Sequence, residues 1–140
     1  MTNIDLAKSY LIKAEKRLKI LNVLLKEKDY SDVVREAQEI VELSLKALLR
    51  LKGIDVPKIH DVGDILLEFK ERFSPSTRKV LLKLKRISRY LRKERELSFY
   101  GDLDFIPTER YTKKDAQEAT TDAFYVVKIV KKESKINMRV

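Results

Sequence analysis

The chain has 140 residues and a formal net charge of +9, and 44% of its residues are hydrophobic. This length and apolar content suit one domain with a substantial core, so we expect residues 1–140 to form a single domain. The absence of cysteine excludes disulfides, thiolate catalysis and cysteine-based zinc sites, and the single histidine, His60, excludes a multi-histidine metal site within one chain. A carboxylate-only metal site is still allowed, but no regular acidic spacing indicates one, and we expect no metal or other cofactor.

Five helices are predicted along the chain, and the first two carry clear apolar stripes. Residues 3–28 place apolar side chains at three- and four-residue steps, which is typical of an amphipathic helix. A second helix, starting at Asp29 or Ser31, is predicted to end near Lys52, because Gly53 is a favoured residue just beyond a helix C-terminus. Its apolar arc is wide, so we expect this helix to contact neighbours on two sides.

The third and fourth helices are predicted mainly from their starting signals. The segment "HDVGDILLEFKERF", residues 60–73, has apolar side chains at helical spacing and predicts a short third helix. The fourth helix is predicted to begin with Ser74 as N-cap and Pro75 at the first helical position, an arrangement that helix N-termini favour. It is expected to continue to about Leu97.

The segment "YGDLDFIPTERY" is predicted to be irregular because Gly101 and Pro107 interrupt it. A fifth helix is predicted from "TKKD", where Thr112 and Asp115 form a capping box, and its basic tail, "KKESKINMRV", is expected to fray. The predicted fold class is therefore all-α, a five-helix up-and-down bundle in which short loops make neighbours antiparallel. No apolar run approaches the roughly 18 residues of a membrane span, so we expect a soluble cytoplasmic protein that does not bind membranes.

The positive charge is concentrated on the predicted fourth helix. Between Arg78 and Arg95 lie nine cations and one acid, Glu94, so this segment carries +8 of the chain's +9. On a helical wheel, most of these cations lie opposite the apolar side that contains Leu84. Such a face can serve solubility alone or can bind a polyanion, and its concentration on one helix favours the polyanion.

Arg95 is the exception on that wheel, because it lies at about 20° from Leu84, on the apolar side. Burying an unpaired guanidinium costs several kcal/mol, which leaves three explanations. The helix ends before Arg95; or Arg95 pairs with a carboxylate, such as Glu96 or one across the bundle; or Arg95 lines a cleft for a phosphate or a partner. In the third case, we expect the crevice to be shared with the phenol of Tyr100.

Several segments together resemble one family, the HEPN domain of higher eukaryotes and prokaryotes. They are "AQEIVELSLKALL", "HDVGDIL" and "FIPTERYTKKDAQEA", and their order and spacing cover nearly the whole chain. The resemblance implies a five-helix bundle that is often a homodimer. It also implies a toxin–antitoxin context, because many members act with a small nucleotidyltransferase. Several HEPN groups are metal-independent ribonucleases, whose signature is an Arg followed a few residues later by a His.

The chain departs from that signature at one position. Arg95 matches the family Arg, but the slot of the His is occupied by Tyr100. A phenol, with a pKa near 10, is a poor base at neutral pH, although it can donate a hydrogen bond to phosphate or stack on a base. The candidate residues for binding nucleotide or RNA are Arg95, Tyr100, Arg92, Arg89, Lys85 and Arg110.

Three functions follow from these residues. The first is a module that binds nucleotide or RNA and works with a nucleotidyltransferase. The second is a metal-independent ribonuclease toxin in which Arg95 stabilises developing charge and Tyr100 replaces the His. The third is a structural scaffold held by a helical dimer interface. The missing His and the basic helix favour the first.

Overall fold

The computed structural model describes residues 3–56 and 61–138. These two ranges contain helices and no strand, apart from an isolated bridge between Asp102 and Phe105, which confirms the all-α prediction. His60 lies outside the described residues. No helix in the two ranges is long and apolar enough to cross a membrane. The helices are α1 (Asn3–Lys26), α2 (Tyr30–Leu51), α3 (Val62–Glu68), a 3-10 turn (Lys70–Arg72), α4 (Pro75–Arg78), α5 (Leu81–Phe99), α6 (Pro107–Arg110) and α7 (Lys113–Met138).

The central helix of the bundle is α2, which packs against α1, α7 and α5. Its wide apolar arc supplies a large part of the core, including Ile40, Leu45 and Leu48, each with no exposed surface. A tight turn at Lys28 reverses the chain between α1 and α2. The two helices are antiparallel, since Arg50 near the end of α2 donates to the side chain of Asn3 at the start of α1, at 3.2 Å. The predicted contacts on two sides of this helix are thus confirmed.

Two helix boundaries formed as the sequence predicted. Gly53 follows α2 with a φ of +69°, and the amides of Gly53 and Ile54 donate to the carbonyls of Arg50 and Leu49, which is a Schellman motif. At the start of α7, the amide of Thr112 donates to the Asp115 carboxylate, and the Asp115 amide donates to the Thr112 hydroxyl. These reciprocal bonds are the predicted capping box.

The predicted count of five helices is not confirmed. The third helix is shorter than expected, and its last residues form the 3-10 turn. The predicted fourth helix is divided into α4 and α5 by a turn at Lys79 and Val80. The segment expected to be irregular contains the single helical turn of α6. Gly63 on α3 allows a close approach to α5, because a Cβ at this position would lie 2.7 Å from a side-chain carbon of Lys85.

The basic tail that was expected to fray is helical as far as Met138, and its Glu133 has no exposed surface, while residues 139 and 140 lie outside the described residues. The Glu133 carboxylate lies 3.0 Å from Lys52 Nζ, and it accepts hydrogen bonds from the Ser74 amide and hydroxyl and from the Thr77 hydroxyl. Ser74 is the N-cap residue of α4, as predicted, but its hydroxyl binds Glu133 and not a backbone amide of α4. This buried cluster therefore joins the ends of α2 and α7 to the start of α4.

Candidate functional site

The outward face of α5 is cationic over most of its length. Its inward side, with Leu84, Ile87 and Leu91, is buried, as the helical wheel predicted. The opposite side exposes several cations that make no ion pair with any residue of the described ranges. They are Arg86, Arg89, Arg92 and Lys93 on α5, and Lys79 in the turn that precedes it. Lys83 is also exposed, but its Nζ lies 4.0 Å from the centre of the Tyr125 ring of α7.

Glu94, the acid within this basic segment, makes a hydrogen bond within the fold. Its carboxylate accepts a hydrogen bond from the Tyr111 hydroxyl at 2.6 Å. Burial, that hydrogen bond and the negative charge of Glu94 raise the pKa of Tyr111 well above its usual value, so the phenol remains a proton donor. The same contact ties the loop that precedes α7 to α5.

Arg95 pairs with a carboxylate across the bundle, which is the second of the three explanations for its position. Its Nη2 lies 3.1 Å from Oε1 of Glu39 on α2. The helix does not end before Arg95, since α5 continues to Phe99 and the Ser98 hydroxyl donates to the Arg95 carbonyl. The guanidinium is not buried, however, because 50% of the Arg95 side chain is exposed, against 23% for Glu39. Arg95 thus points towards α2 but ends at the rim of the bundle, where a ligand can reach it.

No hydrogen bond or ring contact joins Tyr100 to Arg95 within the described residues. Tyr100 is 76% exposed, and its ring packs edge-to-face on Phe99 with the ring centroids 4.8 Å apart. Arg35 of α2 lies over the Phe99 ring at 4.3 Å from its centroid. The crevice that we expected Arg95 and the phenol to share therefore stays a prediction. The end of α5 presents a half-exposed arginine on one side and two exposed aromatic rings beyond it.

Lys85 and Arg110 make contacts within the fold. Lys85 Nζ lies 2.7 Å from Oδ1 of Asp64 on α3. The Arg110 guanidinium lies 5.9 Å from the centre of the Phe105 ring, in the loop that Tyr111 anchors. A phosphate would have to compete with the carboxylate of Asp64 for Lys85. Arg89 and Arg92 have no such competitor among the described residues.

A pocket of about 550 Å³ lies at the start of α2, between that helix and the segment around α6, and Phe99 is part of its wall. Two carboxylates of its wall, Asp29 and Asp32, share a hydrogen bond. Partial burial, that hydrogen bond and the charge of Asp29 raise the pKa of Asp32 to about 6, although nearby Arg35 opposes the shift. Sequence reasoning missed this pair, which the spacing Asp-x-x-Asp at a helix start indicates. No group of three or more His, Asp or Glu side chains in the described ranges could hold a metal ion.

Comparison with known proteins gives a consistent result. The family model for the HEPN domain matches residues 7–133 of this chain. A Methanocaldococcus jannaschii protein named "Putative toxin MJ1304" is 30% identical over 136 residues, which cover 92% of this chain and 88% of that protein. The fold also resembles two crystal structures. One is ST0689, an archaeal HEPN homologue, with a TM-score of 0.69 and 23% identity. The other is TT1696 from Thermus thermophilus, with a TM-score of 0.72 and 22% identity. Each alignment covers 91% of this chain and 97% of the other.

Proposed function

This chain belongs to the HEPN domain family, and from that membership we propose that it binds RNA or a nucleotide through α5 as the toxin component of a toxin–antitoxin pair. The name of the Methanocaldococcus jannaschii relative supports the toxin assignment. A small nucleotidyltransferase is the partner that the family resemblance implies. The proposed site consists of the cations on the outward face of α5 and the aromatic residues at its C-terminal end.

The observation that carries this proposal is the uncompensated charge of α5. Arg89 and Arg92 are exposed and without a carboxylate partner among the described residues, while Glu94 is turned towards Tyr111. A phosphate backbone that binds such a face releases condensed counterions, which provides most of the binding free energy without any sequence readout. If α5 were only a structural scaffold, we would expect a polyanion to have no effect on the stability of the protein.

The C-terminal end of α5 favours single-stranded RNA over a duplex. Tyr100 and Phe99 are exposed rings, and an unpaired base stacked on an aromatic ring gains about 1–3 kcal/mol. Arg95 is close to these rings in sequence and is half exposed, so it can bind a phosphate once its pairing with Glu39 is exchanged. A duplex keeps its bases stacked and would use only the cations.

The proposed assembly is a homodimer, in which a second copy covers the apolar residues Leu103 and Ile106 in the loop that follows α5. Leu103 is 96% exposed and Ile106 is 50% exposed. Side chains of this size are costly to leave in water, and a neighbouring cluster of them is typical of an interface. Light scattering on the wild type and on Leu103→Asp tests this assembly. We expect the molar mass of a dimer for the wild type and that of a monomer for the variant. Equal molar masses for the two proteins would contradict the assignment of the interface.

RNA binding can be measured by fluorescence anisotropy with a labelled single-stranded oligonucleotide over a range of salt concentrations. We expect Arg89→Gln combined with Arg92→Gln to weaken binding and to reduce the slope of log K against log salt by about 1.4, since each single-strand phosphate contact contributes about 0.7. The matched control is Lys13→Gln with Lys16→Gln, which removes the same charge from exposed positions on α1. Equal losses in both variants, or a flat salt response, would contradict a site on α5.

A second candidate function is metal-independent cleavage of RNA, and one observation favours it. Asp32, with a pKa raised to about 6, lies in the pocket that Phe99 also lines. A carboxyl group that titrates near neutral pH can act as the general acid or base in place of the missing His. Labelled RNA incubated with the protein in the presence of a chelator separates the two functions. Products that disappear in Arg95→Ala and in Asp32→Asn indicate an enzyme, and binding without products indicates a binding module.

A further inference from the structure

A second basic surface lies in a groove between α1 and α7. The groove has a volume of about 660 Å³ and is lined by residues of these two helices alone. Its apolar side chains are Leu18 from α1, and Phe124 and Val127 from α7. Phe124 is 43% exposed and Leu18 is partly exposed, whereas Val127 is only 4% exposed and belongs to the core beneath the groove.

Lysines surround the apolar residues of the groove on both sides. Lys131 pairs with Glu15 across it, at 3.5 Å. The other four are exposed and make no ion pair with any described residue; they are Lys19, Lys128, Lys132 and Lys135. The charged side chains of the groove therefore comprise five lysines and one glutamate. An apolar centre with a positive rim is complementary to an apolar stripe with carboxylates on either side.

The shape of the groove distinguishes between the molecules that carry such a pattern. Along α7 it extends from Phe124 to Lys135, which is about 16 Å or three helical turns. A small ligand in an open groove would leave much of its surface in water, whereas ligand pockets bury most of their ligand. A nucleic acid would use the lysines, but its phosphate backbone has no counterpart for the aliphatic side chain of Leu18. An amphipathic helix matches both features, since its apolar residues recur on one face over three turns.

We propose that the α1–α7 groove binds an acidic amphipathic helix of a partner protein. The apolar residues of that helix pack on Phe124 and Leu18, and its flanking carboxylates pair with the rim lysines. No residue of α5 lines the groove, so this inference does not depend on RNA binding. It adds a protein-binding surface to a chain whose other basic surface is assigned to RNA.

The test uses a labelled synthetic peptide of about four helical turns, with leucine on one face and glutamate at the flanking positions. Its binding to the full chain is measured by fluorescence anisotropy, next to a scrambled peptide of identical composition. The groove variant is Lys128→Glu with Lys132→Glu, both at exposed positions. The matched control is Arg89→Glu with Arg92→Glu on α5, which makes the same change in charge on another helix.

We expect the amphipathic peptide to bind the wild type, and to bind the groove variant at least about tenfold more weakly. The α5 variant is expected to retain the peptide and to lose single-stranded RNA. Circular dichroism and thermal unfolding show whether both variants keep the fold. Any of three results would overturn the proposal: no binding at about millimolar peptide, equal binding of the scrambled peptide, or equal losses in the two variants. RNA binding that is lost in the groove variant but not in the α5 variant would assign the groove to nucleic acid and would refute both proposed sites.

Discussion

Replacing Glu133 by glutamine is expected to destabilise the protein at neutral pH and to have almost no effect near pH 2. Glu133 has no exposed surface, and it is held by Lys52, Ser74 and Thr77. Burial opposes its ionisation, but the hydrogen bonds from Ser74 and Thr77 and the contact with Lys52 outweigh it, and together they lower the pKa from its usual 4.5 to about 2. The charged form is therefore the one that the folded state prefers.

The size of the effect follows from that pKa. A carboxyl whose pKa falls from 4.5 to about 2 on folding contributes about 3 kcal/mol, because each tenfold change in proton affinity corresponds to about 1.4 kcal/mol. The contribution is complete above pH 4.5 and is lost as the pH falls towards 2, since the unfolded chain takes up the proton first. An independent consideration gives a similar value. Removing one partner of a buried ion pair costs about 3–5 kcal/mol, and the Lys52 side chain is only 12% exposed.

Urea denaturation of the wild type and Glu133→Gln, at a series of pH values from neutral to about 2, measures this contribution. The difference in unfolding free energy is expected to be about 3 kcal/mol at pH 7 and to disappear at the acid end. The control is Glu68→Gln, which changes an exposed glutamate on α3 and is expected to leave the curve unchanged. Wild-type and Glu133→Gln curves that remain parallel over the whole pH range would refute the reasoning, because the ionisation of Glu133 would then add nothing to the free energy of unfolding.

Three further predictions concern the candidate site and its surroundings. Glu39→Gln releases Arg95 and should tighten RNA binding by up to about fivefold in anisotropy titrations, with no gain in an Arg95→Ala background, since pairs this exposed are worth up to about 1 kcal/mol. Tyr111→Phe removes the hydrogen bond to Glu94 and should lower stability in urea by about 1–2 kcal/mol. Asp32→Asn should raise the free energy of unfolding at pH 7. It should also abolish the loss of stability that the wild type shows as the pH rises from 4 to about 6, because the folded state holds the Asp32 proton more tightly than the unfolded chain does. Equal pH dependence of stability in both proteins would contradict that assignment.

The sequence predicts most of the helices because their signals are local. The apolar stripes of α1 and α2, the Gly53 stop and the capping box at Thr112 depend only on residues within a few turns of each other. The division of the fourth predicted helix could not be seen, because its break at Lys79 and Val80 contains neither glycine nor proline. At this break, tertiary contacts override the local helix propensity.

The candidate site is less predictable, because its contacts join distant parts of the chain. The helical wheel correctly predicted that Arg95 faces a neighbouring helix. It could not identify Glu39 as the partner or show that the ion pair lies at the rim of the bundle. The tail was expected to fray because its composition is basic and polar. Only the fold reveals that Thr77 and Lys52 converge on Glu133. The α1–α7 groove was missed for the same reason, since its lysines come from opposite ends of the sequence.

The arrangement of the helices keeps the two basic surfaces apart. Helix α2 packs on α1, α7 and α5, and no residue of α5 lines the groove, although α5 also contacts α7 where Lys83 Nζ lies 4.0 Å from the centre of the Tyr125 ring. Exposed charges interact weakly beyond the Debye length, which is about 8 Å at physiological ionic strength. We therefore expect an acidic helix in the groove and RNA on α5 to affect each other's binding less at physiological salt than when the salt is diluted. An acidic partner that inhibits RNA binding by direct competition would have to occupy α5 itself, and Arg89→Glu with Arg92→Glu would then abolish the binding of both.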